Sequence, residues 1–194
     1  MTGFLRDLRP SELNAVYARA KRDFPPLERP PLCSMRRYLT KGSMQGCIYE
    51  SGGADAGYAF LLTAPGTRSQ MLFLYAVEPQ LRGHGVGGAF LEALSAERAD
   101  CDGLYAEVEI AELAKTPQER LRREKRIAFY EKHGFCLIHG LDYAIYGLPM
   151  HIFYRPLARK ALPDAPAAAQ ELRALYDAIF YRWERNMLRM RTEI

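Results

Sequence analysis

The sequence has no long apolar run. Its longest, Met71 to Val77, is far shorter than the roughly 20 residues that span a bilayer. Charged residues, including Arg6, Asp7 and Arg9, stand where a secretory signal would have its apolar core. These two absences favour a cytoplasmic protein without a membrane partner.

Metal-ligand and disulfide patterns are missing as well. The chain has four cysteines, no Cys-x-x-Cys pair and no histidine at zinc spacing. We therefore expect no metal site. The sequence predicts reduced, buried thiols at Cys33, Cys47, Cys101 and Cys136.

Composition and charge are not extreme. Of the 194 residues, 48% are hydrophobic and 26% charged, which is typical of soluble globular proteins. The net charge of +4 suits an anionic ligand such as a polyphosphate, but it is too small to indicate a nucleic-acid partner. The length suits one domain with an appendage, predicted over residues 1–160 and 161–194.

Strand and helix patterns are mixed along the chain, which predicts an α/β fold. The predicted strands are Phe4 to Leu8, Met44 to Glu50, Asp55 to Thr63, Gln70 to Val77, Leu104 to Ile110, a broken strand from Phe135 to Tyr146, and Met150 to Pro156. The predicted helices follow the cap candidate Ser11, span Leu32 to Lys41, begin at Val86, run from the capping box Thr116 to Glu119 as far as Lys132, and follow Asp164.

The C-terminal segment predicts a linker, Ala161 to Ala169, and a long amphipathic helix. Its apolar stripe comprises Leu172, Leu175, Tyr176, Ile179, Phe180, Trp183 and Met187. Such a stripe must be covered. We expect burial on the same domain first, a homodimer contact second and a membrane-surface helix third.

A glycine-rich turn, Arg82 to Gly88, joins a predicted strand to a predicted helix. Backbone N–H groups at a helix N-terminus can hold phosphate oxygens, and glycine lets a ligand approach the backbone. Residues 83–88 also match the dinucleotide pattern G-x-G-x-x-G, but too few strand–helix units follow for a doubly wound fold. A purely structural turn is the remaining alternative.

Two motifs occur in order around and after this turn. Val77-Glu78-Pro79 with Arg82-x-x-Gly85-x-Gly87 resembles the acetyl-CoA signature of the GNAT superfamily of N-acetyltransferases. The segment Ile127 to Phe135, IAFYEKHGF, resembles the second motif of that family, A-F-Y-x-K-x-G-F. The likeness covers roughly Phe4 to Leu157 and leaves out the C-terminal helix.

The resemblance implies a mixed, V-split sheet flanked by helices. The strands Gln70 to Val77 and Leu104 to Ile110 would part to admit the pantetheine arm of acetyl-CoA, and the turn amides would hold its pyrophosphate. His84 occupies a variable position and is expected only to lie nearby. The implied coenzyme residues are Tyr75, Val77, Arg82, Gly83, His84, Gly85, Val86, Gly87 and Gly88.

Acyl transfer to an amine needs a base and an acid. By resemblance, Tyr130 is the acid that protonates the departing thiolate. Strand alternation places Glu107 and Glu109 on one face as candidate bases, and two desolvated acids would raise each other's pKa. Binding of a cationic substrate, simple solvation and, for Tyr130, packing alone are the alternatives.

The predicted function is N-acetyl transfer from acetyl-CoA to an amine of a small molecule or peptide. A non-catalytic acyl-CoA-binding or protein-interaction module on the same fold is the first alternative. A nucleotide-dependent oxidoreductase that uses the glycines is the second.

Overall fold

The computed structural model describes residues 3–181 and 184–192, which form a mixed sheet flanked by helices. Its strands are β1 (Phe4–Asp7), β2 (Met44–Ser51), β3 (Ala54–Leu62), β4 (Gln70–Val77), β5 (Gly103–Glu109), β6 (Cys136–Leu137), β7 (Leu141–Ile145), β8 (Leu148–Pro156) and β9 (Leu188–Thr192). Its helices are α1 (Leu13–Asp23), α2 (Leu32–Lys41), α3 (Val86–Glu97), α4 (Pro117–Lys132) and α5 (Ala165–Asp177). The predicted fold class is confirmed.

Two compact units make up the chain, and β4 contributes to both. The first unit takes the chain up to Thr63 together with Leu72–Arg98. Its strands lie in the order β1, β2, β3, β4, with antiparallel pairing of β1 with β2 and of β2 with β3. Helix α2 packs on β2, and α3 packs on β1 and β3.

Aromatic rings determine where α3 sits in the first unit. The Phe90 ring of α3 stacks on Tyr49 with centroids 5.0 Å apart and lies 4.8 Å from the Tyr75 ring. Gly57 on β3 permits this approach, because a Cβ there would lie 2.8 Å from the Ala76 carbonyl oxygen and 3.0 Å from the Phe90 ring. The start of α3 is thereby held over β3 and β4.

The second unit takes Ala64–Met71 and the chain from Ala99 onward. Its strands run from the start of β4 through β5, β8 and β7 to β9, and β6 also pairs with β8. Only β4 and β5 are parallel in this unit's described part, joined at Gln70–Leu104 and Met71–Tyr105. The parting of these strands beyond that ladder stays a prediction.

The C-terminal segment differs from the single long helix expected. Asp164 does cap α5, its Oδ1 accepting from the Ala167 N–H at 2.8 Å, but α5 ends at Asp177. Residues 188–192 form β9, antiparallel to β7. Apolar and basic residues alternate in this segment with the period of a strand. The helical spacing of the apolar residues before it hid that signal.

The apolar stripe is accordingly divided. Leu172, Leu175 and Tyr176 are buried within the second unit, as expected of a stripe covered by its own domain. Met187 lies in a short 3₁₀ turn and is 41% exposed. Trp183 lies outside the described residues, and the homodimer stays a prediction.

Three smaller expectations are wrong. Ser11 does not cap α1, because it lies within the 3₁₀ turn Pro10–Glu12 that precedes the helix. The expected linker up to Ala169 is helical from Ala165 onward, where Asp164 caps it. None of the four cysteines forms a disulfide, and only Cys47 is buried. Burial raises the pKa of the Cys47 thiol to about 12.

None of the helices within the described ranges has the length and apolarity needed to cross a membrane.

The capping box of α4 gives a stability prediction. Thr116 Oγ1 accepts from the Glu119 N–H at 3.1 Å, and Glu119 Oε2 accepts from the Lys115 N–H at 2.9 Å. Thr116→Ala should lower the free energy of unfolding by about 1 kcal/mol, measured by urea denaturation. Thr116→Ser keeps the hydroxyl and should stay near wild type; equal losses in both variants would contradict the cap's role.

Candidate active site

The glycine-rich turn follows β4 and opens α3 within the first unit. A 3₁₀ turn, Pro79–Leu81, leaves the strand. Gly83 and Gly85 then adopt φ values of +82° and +79°, which side chains rarely tolerate. A Cβ at either position would meet nothing within 4 Å, so backbone conformation demands these glycines and the space beside them is open.

The amides of this turn can serve an anion. The first N–H taken up by the helical ladder is that of Ala89, which donates to the Gly85 carbonyl at 3.1 Å. Those of Val86, Gly87 and Gly88 precede it and have no carbonyl one turn earlier in the helix. With the positive end of the helix dipole, this donor set fits a pyrophosphate. His84 is exposed in the turn.

Side chains of Tyr75 and Arg82 hold the turn in place. The Tyr75 hydroxyl donates to the Gly87 carbonyl, and Arg82 Nε donates to the Val77 carbonyl at 2.9 Å. The family resemblance implies backbone contacts of Tyr75 and Val77 with the pantetheine arm and assigns no role to the Tyr75 side chain. The Tyr75 side chain adds a brace across the first turn of α3 that no sequence motif signals.

One edge of β4 faces β3, and backbone groups on its other edge point away from β3. The Glu78 N–H donates to the Ala56 carbonyl of β3 at 2.9 Å. Because successive backbone groups point to opposite sides, the amides of Tyr75 and Val77 point away from β3. This direction suits the predicted pairing with an extended ligand.

In the second unit, Glu107 forms a cluster with two buried phenols. Its Oε1 accepts from the Tyr176 hydroxyl at 2.5 Å and also from the Tyr143 hydroxyl. Burial first, and then the nearby Glu107 charge, raise the pKa of both tyrosines well above the ordinary value. Both phenols are therefore neutral donors that orient the carboxylate.

Glu109 has different partners from Glu107. Its carboxylate pairs with Arg126, and its Oε1 lies 3.8 Å from Arg123 Nε. Arg123 also binds Glu119 at 2.6 Å. A proton on Glu109 would remove the charge that these guanidinium groups pair with.

The strand face that carries both glutamates is covered by helices. Tyr105, on the same face, is fully buried and donates to Glu171 of α5 at 2.9 Å. The sequence placed this face opposite the apolar one. Contacts from α4 and α5 close it, which alternation within β5 cannot reveal.

Tyr130 lies near the end of α4, with its ring 8% exposed between aromatic neighbours. The ring centroids of Phe129 and Phe135 lie 5.4 and 5.1 Å away. Within residues 3–181 and 184–192 its hydroxyl has no hydrogen-bond partner. Burial raises the pKa of Tyr130 to about 12, so the phenol keeps its proton at neutral pH.

A family comparison accounts for the turn. Residues 43–136 match the acetyltransferase (GNAT) domain. These residues are therefore a domain of the GNAT superfamily. The resemblance drawn from the two motifs is confirmed. No curated protein matches the chain.

Solved GNAT structures share the fold. A GNAT-family protein from Bacteroides thetaiotaomicron matches with a TM-score of 0.70 at 21% identity, covering 90% of this chain and 96% of its own. The ribosomal-protein-S18-alanine N-acetyltransferase from Escherichia coli gives 0.57 at 20%, covering 82% and 96%. AAC(6′)-Ib, in complex with ribostamycin and coenzyme A, gives 0.60 at 18%, covering 80% and 94%.

As a GNAT protein, the chain is an acyltransferase of the acyl-CoA-dependent N-acetyltransferase class. Its family uses acetyl-CoA, whose pyrophosphate the donor set of the turn fits. Among the described residues, His, Cys, Asp and Glu side chains form no group of three or more that could hold a metal ion.

The Glu107 cluster gives a second prediction. Tyr176→Phe removes one donor from a carboxylate and should lower the free energy of unfolding by about 1.5–3 kcal/mol, measured by chemical denaturation. In a Glu107→Gln background the same change should cost less. Additive losses would show that the Tyr176 hydroxyl does not act through Glu107.

Proposed function

We propose that the protein transfers an acetyl group from acetyl-CoA directly to a primary amine of a small molecule or peptide. The observation that carries this proposal is the turn of residues 83–88, with consecutive amides and two positive-φ glycines at a helix N-terminus. Two structural relatives support the acceptor class, since one is a ribosomal-protein-S18-alanine N-acetyltransferase and the other is bound to ribostamycin.

In the proposed reaction, the neutral amine attacks the thioester carbonyl carbon, a C–N bond forms and the C–S bond breaks. Backbone N–H near Val77 stabilises the negative charge that develops on the carbonyl oxygen. Tyr130 donates its phenolic proton to the departing thiolate. Because burial raises the pKa of Tyr130 to about 12, the phenol is protonated at neutral pH and is available as the donor when the thiolate forms.

The amine proton needs an acceptor, and we assign it to Glu107, directly or through water. Neutral phenols orient this carboxylate, so protonation breaks no ion pair with them. Glu109 is held by Arg126 and Arg123 and serves to position α4 against β5. The N-acetylated acceptor and coenzyme A, with its free thiol, then leave as products.

A comparison of ligands tests the coenzyme assignment. Acetyl-CoA should raise the melting temperature of the protein, and NAD should not. Stabilisation by NAD alone would overturn the proposal in favour of the oxidoreductase. A panel of amines and peptides assayed for thiol release then tests the chemistry; no release above hydrolysis would favour a non-catalytic binding module.

The glycine turn offers a matched pair of variants. Gly85 and Gly53 have φ values of +79° and +81°, and a Cβ at either meets nothing within 4 Å. Alanine at each position should therefore impose a similar strain of about 1–2 kcal/mol. Only Gly85→Ala should weaken coenzyme A binding, by tenfold or more in calorimetric titration. Equal affinities in both variants would show that the turn does not bind the phosphates.

Tyr130→Phe tests the acid. Loss of a general acid typically costs about 10²-fold or more in rate, so kcat should fall by about that factor while KM for acetyl-CoA stays within twofold. Steady-state thiol release measures both constants. Unchanged turnover would remove Tyr130 from the mechanism.

The same variant has a pH signature. Because burial raises the pKa of Tyr130 to about 12, wild-type kcat should show no decline from phenol ionisation up to about pH 10. A decline near pH 10 that disappears in Tyr130→Phe would contradict the buried, protonated phenol.

A further inference from the structure

The arginine of the glycine-rich turn is tied to a distant helix of the first unit. Arg82 Nη2 lies 2.8 Å from Asp23 Oδ1, at the last residue of α1. The Arg82 side chain is 52% exposed, whereas that of Asp23 is only 4% exposed. The pair therefore joins a surface guanidinium to a nearly buried carboxylate.

Other donors hold the Asp23 carboxylate in place. The Tyr58 hydroxyl of β3 donates to Oδ2 at 3.0 Å, and Arg22 Nη2 lies 3.0 Å from the same oxygen. Burial alone would raise the pKa of Asp23, but the hydrogen bonds from Arg22, Tyr58 and Arg82 lower it overall. Asp23 is thus ionised at neutral pH and positioned by groups that do not belong to the turn.

The residue that directly follows β4 is also bound to α1. Glu78, directly after β4, lies 2.5 Å from Arg19 and 3.1 Å from Arg22. Arg19 in turn stacks over the Tyr58 ring, 5.1 Å from its centroid. Helix α1 therefore holds the segment that leaves β4 at both Glu78 and Arg82.

Arg82 links Asp23 to strand β4 and to the start of the turn. Its Nε donates to the Val77 carbonyl at 2.9 Å while its Nη2 meets Asp23. One planar guanidinium with two partners has little freedom to rotate. Gly83 follows Arg82 directly, so the backbone that leads into α3 starts from a fixed point.

We propose that Asp23 is a positioning residue of the coenzyme site, which holds Arg82 and thereby keeps the amides of residues 83–88 in the geometry that binds pyrophosphate. This inference rests on the proposed function. Without the Asp23 charge, Arg82 keeps only its bond to the Val77 carbonyl, and the open turn of positive-φ glycines samples more conformations. Coenzyme binding weakens, while the chemical step, served by other residues, continues.

Asp23→Asn tests the proposal in the full chain. It should raise KM for acetyl-CoA and the dissociation constant of coenzyme A about five- to tenfold, with kcat within twofold. Asp23→Glu should recover part of the affinity. Asp177→Asn is the control, since it also removes a carboxylate charge from an arginine pair, with Arg185 at 3.0 Å, in the second unit; its coenzyme affinity should equal that of wild type.

A double-mutant cycle separates positioning from general destabilisation. In an Arg82→Gln background, Asp23→Asn should change the affinity less than twofold, because the contact it removes is already absent. Full additivity would overturn the proposal, as would unchanged or tighter binding in Asp23→Asn alone. Failure of the wild-type protein to bind coenzyme A would instead reject the proposed function.

Discussion

The first amides of α3 impose the constraint on which the first unit depends. A helix cannot satisfy its own first N–H groups, and here they follow a turn whose glycines leave the backbone open. Neighbouring elements keep that arrangement in place: Tyr75 bonds the Gly87 carbonyl, Arg82 bonds the Val77 carbonyl, and Phe90 packs between aromatic rings. The result is a set of backbone N–H donors without acceptors in the helix, arranged so that they fit an anion.

The second unit presents carboxylates and phenols in place of free amides. Glu107 of β5 and Tyr176 of α5 lie 69 residues apart in sequence, yet a hydrogen bond joins them. Residues 165–177 lie outside the segment that matches the family domain. The C-terminal helix of this chain therefore supplies a partner to the glutamate we assign as the base.

Local sequence signals predicted much of the fold. Helix α2 and its Gly42 cap, strand β4 and the capping box of α4 all follow from short-range patterns, and the structure has them where expected. The turn is equally local, because a strand, glycines and a helix start follow one another directly. The turn that we propose as the coenzyme site can therefore be recognised from local sequence alone.

Contacts between distant segments were not predictable. The shared contact of Tyr143 and Tyr176 with Glu107 has no sequence signal, because neither a strand tyrosine nor an apolar helical stripe indicates a nearby carboxylate. Asp23 and Arg82 are 59 residues apart, and no spacing rule links the end of one helix to the start of another. Strand β9 was missed because helical spacing in the preceding residues extended past the true end of α5.

The proposed function requires that the amides at the start of α3 bind the coenzyme's pyrophosphate. Its most direct test is a two-dimensional ¹H–¹⁵N spectrum of the labelled protein titrated with coenzyme A. If the turn binds the pyrophosphate, the resonances of Gly83, Gly85, Val86, Gly87 and Gly88 should move downfield together as phosphate hydrogen bonds form. Saturable changes elsewhere, with these resonances unmoved, would contradict it.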